Sequence, residues 1–200
     1  MKIEEVIPKD GPSIEEVKKY TEKYKNDLIV IKYGGNVFID RNIFDNFIGD
    51  ISILNKLGLS ILVVHGGGPR IKRELDKSNI QSKFIRGLRV TDEKIINIVE
   101  EVLIDFNNDI VNSLNEKGSK AISINTKKNN IIEVTPEIKE LGFVGVPSKI
   151  DVSFIKEKIK TKIIPIISPL GLGKNNQTYN INGDIAAGAI AKALRSRRLL

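Results

Sequence analysis

The stretch of residues 61–69, Ile-Leu-Val-Val-His-Gly-Gly-Gly-Pro, constrains the fold more than any other part of the chain. Its four branched apolar residues are typical of a strand buried on both faces. The glycines that follow leave backbone N–H groups open to the close approach of an anion, and Pro69 suits the first turn of a helix. A buried strand that leads into such a loop is a common place for an α/β protein to bind a charged ligand. The alternative is that the glycines only make a tight turn.

A second strand of the same kind lies upstream. Leu28–Ile31 is apolar and is followed by the stretch 32–36, Lys-Tyr-Gly-Gly-Asn. A lysine at the carboxyl end of a strand, beside a glycine loop, can contact a phosphate group as a point charge. The spacing matches neither a Walker A loop nor the Gly-x-Gly-x-x-Gly dinucleotide fingerprint. Apolar positions from 44 to 57, ended by Gly58, predict a connecting helix, so residues 28–64 are predicted to form a βαβ unit.

Composition narrows the class of protein. The chain has 200 residues, no cysteine and a formal net charge of +7. Without cysteine it has no disulfide framework and no cysteine-rich metal site, which fits a reducing cytoplasm. Basic residues are scattered apart from Arg195, Arg197 and Arg198, and aromatic residues are few, so we expect no nucleic-acid partner. No apolar run approaches the ~20 residues that span a bilayer, and the acidic start of the chain is unlike a signal peptide. We therefore expect a cytoplasmic protein with no membrane partner.

The N-terminal region carries an amphipathic helix. Ser13 and Glu16 form the sequence pattern of a capping box, and apolar residues recur at three- to four-residue spacing through residues 13–25. One interpretation is that this helix packs on its own domain. The other is that it pairs with another subunit, since a peripheral amphipathic helix does not reveal its partner.

Helical periodicity and strand-like runs alternate through the rest of the chain. Further helices are predicted over residues 69–78, 93–117 (capped by Thr91 or Asp92), 152–158 and 185–194. Strands are predicted over residues 141–147, 163–167 and 178–182, with the start of another at 199–200. Residues 121–124 and 131–134 flank Asn129-Asn130 and predict a β-hairpin. Pro165 is expected at a bulge or on an edge strand, because proline cannot donate to a ladder.

Two charged residues flank helix starts and each has two interpretations. Arg89 precedes helix 93–117, and arginine is suited to hold a carboxylate with two parallel hydrogen bonds. Its alternative is a solvated surface side chain. Asp184 precedes helix 185–194 and is predicted to be an ordinary N-cap. Its alternative is a carboxylate that orients a nearby lysine or Mg²⁺.

Five stretches, taken in order, are typical of one family. They are residues 32–36 (Lys-Tyr-Gly-Gly-Asn), 65–69 (His-Gly-Gly-Gly-Pro), 87–92 (Gly-Leu-Arg-Val-Thr-Asp), 142–145 (Gly-Phe-Val-Gly) and 179–184 (Tyr-Asn-Ile-Asn-Gly-Asp). Together they resemble the amino-acid kinase family over about residues 12–200. The third and fifth stretches resemble specifically the branch that phosphorylates N-acetyl-L-glutamate. The chain departs from the family pattern at Gly183, where alanine is usual, and at Val146-Pro147, where an acidic residue is common.

The resemblance implies a fold. It is an α/β fold, a three-layer α/β/α sandwich with a mainly parallel central sheet, truncated relative to family members that continue for about another half domain. The implied parts are an N-terminal extension with an amphipathic helix (1–26), a substrate-binding lobe (27–175) and the start of a nucleotide-binding lobe (176–200). Most of the adenine and ribose site, and a second phosphate-binding lysine, belong to the segment that family members have beyond this point.

The resemblance also implies a reaction in arginine biosynthesis. The γ-phosphoryl group of ATP, with Mg²⁺, is transferred to the side-chain carboxylate of N-acetyl-L-glutamate to give an acyl phosphate. Implied site residues fall into three groups: catalytic Lys32 and Asp184; substrate-binding Gly67, Gly68, Arg89, Asn180 and Asn182; and phosphate-binding Gly34 and Gly35. We expect no metal site built from side chains, no side chain acting as base, and a structural role for His65.

Alternatives to a working kinase remain open at this point. A homodimer is implied, or a hexamer joined through the N-terminal helix. A second hypothesis is a substrate-lobe fragment that binds N-acetylglutamate or a partner subunit without catalysis. A third is a related kinase for another acidic metabolite, against which Arg89 and Asn180 argue.

Overall fold

The computed structural model describes residues 3–34 and 40–200 and contains helices and strands in alternation. The helices are α1 (Ile14–Tyr24), α2 (Arg41–Lys56), α3 (Gly68–Lys77), α4 (Glu93–Glu116), α5 (Val152–Lys160) and α6 (Gly183–Leu194). The strands are β1 (Leu28–Tyr33), β2 (Ser60–His65), β3 (Phe84–Ile85), β4 (Leu88–Arg89), β5 (Ala121–Ile124), β6 (Ile132–Pro136), β7 (Gly145–Ile150), β8 (Ile164–Ile167), β9 (Leu170–Leu172), β10 (Thr178–Asn180) and β11 (Arg198–Leu199). No helix among the described residues is both long enough and apolar enough to cross a bilayer.

A five-stranded parallel sheet forms the centre of the fold, in the order β11-β1-β2-β8-β5. Strand β2 is buried along almost its whole length, as its run of branched residues predicts. Its alternate side chains supply both faces: Leu62 and Val64 join one core cluster, and Ile61 and Val63 join the other. The βαβ unit predicted over residues 28–64 is confirmed as β1-α2-β2.

Helices cover both faces of this sheet. On one face, α2 and α4 contribute buried residues to a core that includes Ile48, Phe106 and Ile110. On the other face, Ile155 of α5 and the small and apolar residues of α6 pack on the strands. The predicted three-layer α/β/α architecture with a mainly parallel sheet is therefore confirmed.

The predicted hairpin around residues 129–130 is wrong. Strand β5 pairs in parallel with β8 in the central sheet, whereas β6 pairs with β7 and β9 in a separate four-stranded sheet ordered β10-β9-β6-β7. The chain leaves β5 through a local turn. The Asn125 carboxamide oxygen there accepts hydrogen bonds from the N–H groups of Lys127 and Lys128. That turn redirects the backbone, so the two apolar runs never pair.

Pro165 does not lie on an edge strand or at a bulge, because β8 sits between β2 and β5. The N–H groups of Ile164 and Ser168 donate to the carbonyl groups of Lys120 and Ile124, on the side of β5. Backbone N–H groups alternate in direction along a strand, so the nitrogen of Pro165 faces β2. The ladder to β2 begins only at the Val63–Ile166 pair. Pro165 therefore occupies the one end of a central strand where its missing donor is not needed.

Helix caps differ from the prediction at α6. Asn182, not Asp184, caps this helix: its side chain accepts from the N–H groups of Asp184 and Ile185. Asp184 thus lies in the first turn with its carboxylate free of the cap. The predicted capping box of Ser13 and Glu16 is confirmed, and Asp92 rather than Thr91 caps α4.

Helix α1 packs partly on its own domain. Val17 is buried, and Tyr24 packs against the core on the α2 and α4 side of the sheet. Ile14 and Tyr20 remain exposed. The guanidinium of Arg198, in β11, lies 4.1 Å from the centre of the Tyr24 ring.

Strand β11 makes β1 an interior strand. The Leu200 carbonyl accepts from the Lys32 N–H (2.7 Å), and the Leu200 N–H donates to the Val30 carbonyl (3.0 Å). The Ser196 hydroxyl donates to the Leu28 carbonyl across a sequence separation of 168 residues. The strand predicted to start at residues 199–200 is confirmed, and it positions the backbone that carries Lys32.

Candidate active site

A cavity of about 270 Å³ opens where β1 and β2 end and where α3 and α6 begin. Its described lining includes nearly all the residues proposed above from the motifs: Lys32, Gly34, Gly67, Gly68, Arg89, Asn180, Asn182 and Asp184. Gly35 lies outside the described residues. A larger groove of about 760 Å³ lies between α2 and α4, and no described glycine lines it. We place the site in the smaller cavity because charged groups, backbone donors and two helix N-termini converge there.

Lys32 and Asp184 form an ion pair across the cavity mouth. The Lys32 Nζ lies 3.0 Å from Oδ1 of Asp184, which β1 and the first turn of α6 bring together. The side chain of Lys32 is 27% exposed and that of Asp184 is 76% exposed. Because both groups retain contact with water, the pair adds little to stability and leaves the ammonium available to a ligand.

Gly34 permits the path of the Lys32 side chain. A Cβ atom at position 34 would lie 2.4 Å from Lys32 Nζ and 2.6 Å from its Cε. Any larger residue there would displace the end of the lysine side chain from its place beside Asp184. Gly183 is different, since a Cβ there would be in ordinary contact, 3.7 Å from the Gly66 Cα. The alanine usual in the family would therefore fit, and the departure at this position is sterically mild.

The glycine loop after β2 presents backbone donors. Gly67 is the N-cap of α3, and among the described residues no side chain caps this helix. The first N–H groups of the helix, reinforced by its dipole, are therefore available to an anion. A Cβ on Gly67 would come within 2.5 Å of Leu103 Cδ2, so α4 packs directly under the loop. Glycine is required here by close approach.

Arg89 is held by its surroundings at the cavity wall. Its guanidinium donates to the Ser82 hydroxyl and to the Gly68 carbonyl (3.4 Å), and it lies 4.9 Å from the centre of the Phe84 ring. Desolvation lowers the pKa of Arg89, and the nearby Asp76 opposes that effect. An arginine remains cationic under such a shift, so the geometry supplies a partly desolvated positive charge at the cavity wall.

The motif stretches 87–92, 142–145 and 179–184 are joined by backbone pairing beside Arg89. Thr91 pairs with Gly142, and Val144 pairs with Asn180, as isolated parallel bridges. Gly142 has a φ of +67°, and a Cβ there would lie 2.4 Å from the Thr91 carbonyl oxygen. The Asn180 amide Nδ2 donates to the Thr91 hydroxyl (3.4 Å), which orients that side chain at the cavity. The oxygen of Asn182 is engaged in the α6 cap, which leaves its NH₂ group as the part able to bind a ligand.

Glu100 anchors the strand that carries Asn180. Its Oε1 accepts from the hydroxyls of Thr126 (2.6 Å) and Thr178 (2.8 Å), and its Oε2 lies 3.3 Å from Lys127 Nζ. Burial alone would raise the pKa of Glu100, but these donors outweigh it and the pKa is lowered. The carboxylate therefore stays ionised and joins α4 to β10. Sequence analysis missed this residue because a lone glutamate on a helix gives no signal.

His65 is buried and structural, as predicted. Its Nδ1 lies 2.8 Å from the Gly66 carbonyl oxygen, and its Nε2 lies 3.0 Å from the Asn107 amide nitrogen. Desolvation lowers the pKa of His65 to about 4, so the ring is neutral at pH 7. Asn107 was also missed by sequence analysis, although a polar residue inside the apolar stripe of α4 was a signal for it.

Comparison with known proteins places the chain in a family. The amino acid kinase family model matches residues 27–200, so the chain belongs to the amino acid kinase family. Two of its relatives are both named acetylglutamate kinase. That of Pelagibacter ubique is 55% identical over 98% of this chain and 68% of the relative. That of a Jannaschia species is 43% identical over 94% of this chain and 66% of the relative. The chain thus spans about two thirds of the length of these relatives.

Solved structures share the fold. A protein of Streptococcus mutans is 29% identical, with a TM-score of 0.78 over 86% of this chain and 71% of that one. The N-acetylglutamate synthase of Neisseria gonorrhoeae, solved with coenzyme A and N-acetylglutamate, has a TM-score of 0.83 at 21% identity. That match covers 94% of this chain and 45% of the synthase, and at this identity it supports the fold alone.

Proposed function

We propose that this chain forms the substrate site of a kinase that transfers the γ-phosphoryl group of ATP to the side-chain carboxylate of N-acetyl-L-glutamate. The observation that carries the proposal is the convergence of Lys32, Arg89, Asn180 and the Gly67-Gly68 loop on one cavity. The names of the relatives support acetylglutamate as the substrate. The place in arginine biosynthesis is what the resemblance of the motifs implies.

Substrate recognition follows from the charges at the cavity wall. N-acetyl-L-glutamate carries two carboxylates and an amide. Arg89, fixed by Ser82 and Phe84, suits the α-carboxylate, because a planar guanidinium can donate two parallel hydrogen bonds to it. Asn180 and the NH₂ group of Asn182 offer hydrogen bonds to the remaining polar atoms.

Phosphoryl transfer would take place on the side of the cavity opposite Arg89, between the stretches 32–36 and 65–69. The reaction needs positioning and charge neutralisation more than covalent help from the protein. Lys32 and the N–H groups of Gly34, Gly67 and Gly68 would stabilise charge on the transferring group, while Asp184 orients Lys32. No side chain need remove a proton, because the attacking carboxylate is already ionised at neutral pH.

Mg²⁺ would bind at this site only together with the nucleotide, whose phosphates would supply ligands that the protein does not. Among the described residues no cluster of three or more His, Cys, Asp or Glu side chains is placed to hold a metal ion. Asp184 is the carboxylate in the described cavity lining, and it is paired with Lys32. Mg²⁺ commonly relies on substrate phosphates and water with one or two carboxylates, so Asp184 is the protein group that would accompany it. The ion would neutralise phosphate charge.

Binding without transfer is the second candidate. The described cavity lining contains one lysine, Lys32, whereas phosphoryl transfer is helped by several cations around the phosphates. Under this candidate the cavity holds N-acetylglutamate and catalysis requires groups from elsewhere.

We also propose that the protein works in the cytoplasm as a homodimer, or as a hexamer joined through α1. Sedimentation as a monomer at micromolar concentration would contradict that assembly.

One experiment separates the candidates. The chain is incubated with MgATP and N-acetyl-L-glutamate, and acyl phosphate is trapped with hydroxylamine, with Lys32→Ala as control. Calorimetry measures N-acetylglutamate binding in parallel, and glutamate and N-acetylaspartate serve as alternative acceptors. Turnover lost in the control supports the kinase. Binding without turnover supports the second candidate, and turnover with another acceptor identifies a different acidic substrate. Absence of both binding and turnover contradicts the proposed function.

A further inference from the structure

We propose that His65 and Asn107 act as a positioning pair that fixes the Gly66–Gly67 peptide group, and through it the backbone donors of the glycine loop. The inference rests on the proposed function for its kinetic part only. Both side chains are fully buried, at 0% exposure, so neither touches the cavity directly. They act through the backbone.

The hydrogen bonds define one tautomer of the ring. Asn107 Nδ2 lies 2.9 Å from the Ile166 carbonyl oxygen, which can only accept, so the amide NH₂ group faces that oxygen. The same NH₂ group lies 3.0 Å from His65 Nε2, which must therefore accept. The proton of the neutral ring is then on Nδ1, which donates to the Gly66 carbonyl at 2.8 Å. The Ile166 carbonyl at one end of this hydrogen-bond series and the Gly66 carbonyl at the other both require the ring proton on Nδ1.

This arrangement holds Gly66 from both sides. Its N–H donates to the Tyr33 carbonyl at the end of β1 (2.7 Å), and its carbonyl accepts from His65. The peptide group between Gly66 and Gly67 is planar and trans, so fixing the carbonyl also fixes the direction of the Gly67 N–H, which points the opposite way. Glycine has no side chain to restrict its own backbone, so the loop needs an outside constraint to present a donor in one orientation.

The pair draws its rigidity from the core. Asn107 belongs to α4, and its partner Ile166 belongs to β8. The His65 ring packs edge-on against Phe106, with ring centres 5.1 Å apart. Donors that stabilise developing charge work best when they are fixed before the reaction, and a small misplacement costs much of their effect. His65 is therefore a positioning residue for the glycine loop, and Asn107 supports the tautomer that donates to Gly66.

A matched pair of variants isolates the hydrogen bond to Gly66. In asparagine the Nδ2 atom is separated from Cβ by the same two bonds as the histidine Nδ1, so His65→Asn keeps a donor for the Gly66 carbonyl. His65→Leu has the same number of side-chain heavy atoms as His65→Asn and the same branching at Cγ, but it has no donor. Thermal melting and circular dichroism establish that both variants are folded. We expect His65→Leu to have a kcat roughly tenfold or more below that of His65→Asn, with similar KM values for the acidic substrate.

Nuclear magnetic resonance tests the pair without relying on turnover. His65 is the only histidine of the chain, so its ring nitrogens in a ¹⁵N-labelled sample are unambiguous. We expect a protonated Nδ1 and an unprotonated Nε2 at pH 7. In Asn107→Ala the Nε2 atom loses its donor, so we expect its signal to shift while the Gly66 carbonyl keeps the proton on Nδ1. Asn108→Ala removes the same side chain from a partly exposed position on α4 and should leave the ring signals unchanged.

The outcomes are decisive in each case. A ring protonated on Nε2 in the wild type would overturn the proposal. Equal kcat values and equal Gly67 amide shifts in His65→Leu and His65→Asn would also overturn it. Should the wild type show no turnover, the proposed function fails separately, and the ring signals together with the Gly67 amide shifts still decide whether the pair positions the loop.

Discussion

Lys32 offers a strict test, because its effects on stability and on activity are expected to differ sharply. In Lys32→Met the ammonium is lost and the aliphatic stem is kept. The lost ion pair joins a side chain that is 27% exposed to one that is 76% exposed, at 3.0 Å. Pairs with such access to water contribute under about 1 kcal/mol, so the free energy of unfolding should fall by no more than that. Removing one group that stabilises transition-state charge typically lowers kcat by roughly 10²–10³, or about 2.7–4 kcal/mol.

Lys158 supplies a matched control. Its side chain is 21% exposed, and its Nζ lies 2.7 Å from Oε1 of Glu157, which is 65% exposed. Lys158→Met should therefore cost about the same stability as Lys32→Met and leave turnover unchanged. The assays are urea unfolding and hydroxamate formation at saturating MgATP and N-acetylglutamate. The reasoning is refuted by a Lys32→Met enzyme that keeps its kcat within about threefold, or by equal loss of turnover in both variants.

Three further results are expected. Gly67→Ala should lower the free energy of unfolding by about 1–3 kcal/mol, because its Cβ would lie 2.5 Å from the buried Leu103 Cδ2. Gly68→Ala, with nothing within 4 Å of its Cβ, should not do so, and a double variant with Leu103→Ala should show that the two sites couple rather than add. The pKa of His65 is about 4 in the folded chain against about 6.5 in the unfolded chain, so the unfolded state binds the proton first. The contribution of His65 to the free energy of unfolding is complete above pH 6.5 and falls by up to about 3 kcal/mol as the pH drops towards 4. In urea unfolding across this range, His65→Asn should lack this part of the pH dependence. Arg89→Lys keeps the charge but loses the planar donor geometry, so KM for N-acetylglutamate should rise roughly tenfold, and an unchanged KM would remove Arg89 from the substrate site.

The parts of the fold that follow from local signals could be predicted from sequence. The run at 61–64 has no polar residue and leads into glycines, which is typical of a strand buried on both faces, and the structure places it at the centre of the sheet. Capping by Ser13 follows from side chains that bond within three residues, and Asp92 was one of the two caps that the sequence offered for α4. The cavity lining could be predicted from motifs, because the ends of parallel strands meet at one edge.

Features set by distant contacts could not be predicted. Residues 121–124 and 131–134 look like a hairpin until the Asn125 turn and the parallel partner β8 are known. Pro165 is tolerated in a central strand only because the neighbouring ladder starts one residue later. Asn182 and Asp184 compete for one cap, and the sequence alone does not decide between them. The role of Asn107 depends on β2 and β8 lying beneath α4, which no local pattern reports.

The placement of β11 beside β1 has a consequence for the order in which the protein can assemble during synthesis. The strand that carries Lys32 gains its second neighbour only from residues 198–200, and the Ser196 contact to Leu28 closes a separation of 168 residues. Contacts of such long range form late, because a large loop must close first. A ribosome-bound chain that lacks β11 would therefore hold the other four strands of its central sheet with an open edge at β1, exposed to pairing with other chains. That edge closes only once residues 198–200 have left the ribosome and can pair with β1, so the backbone of Lys32 gains its second neighbour at that stage.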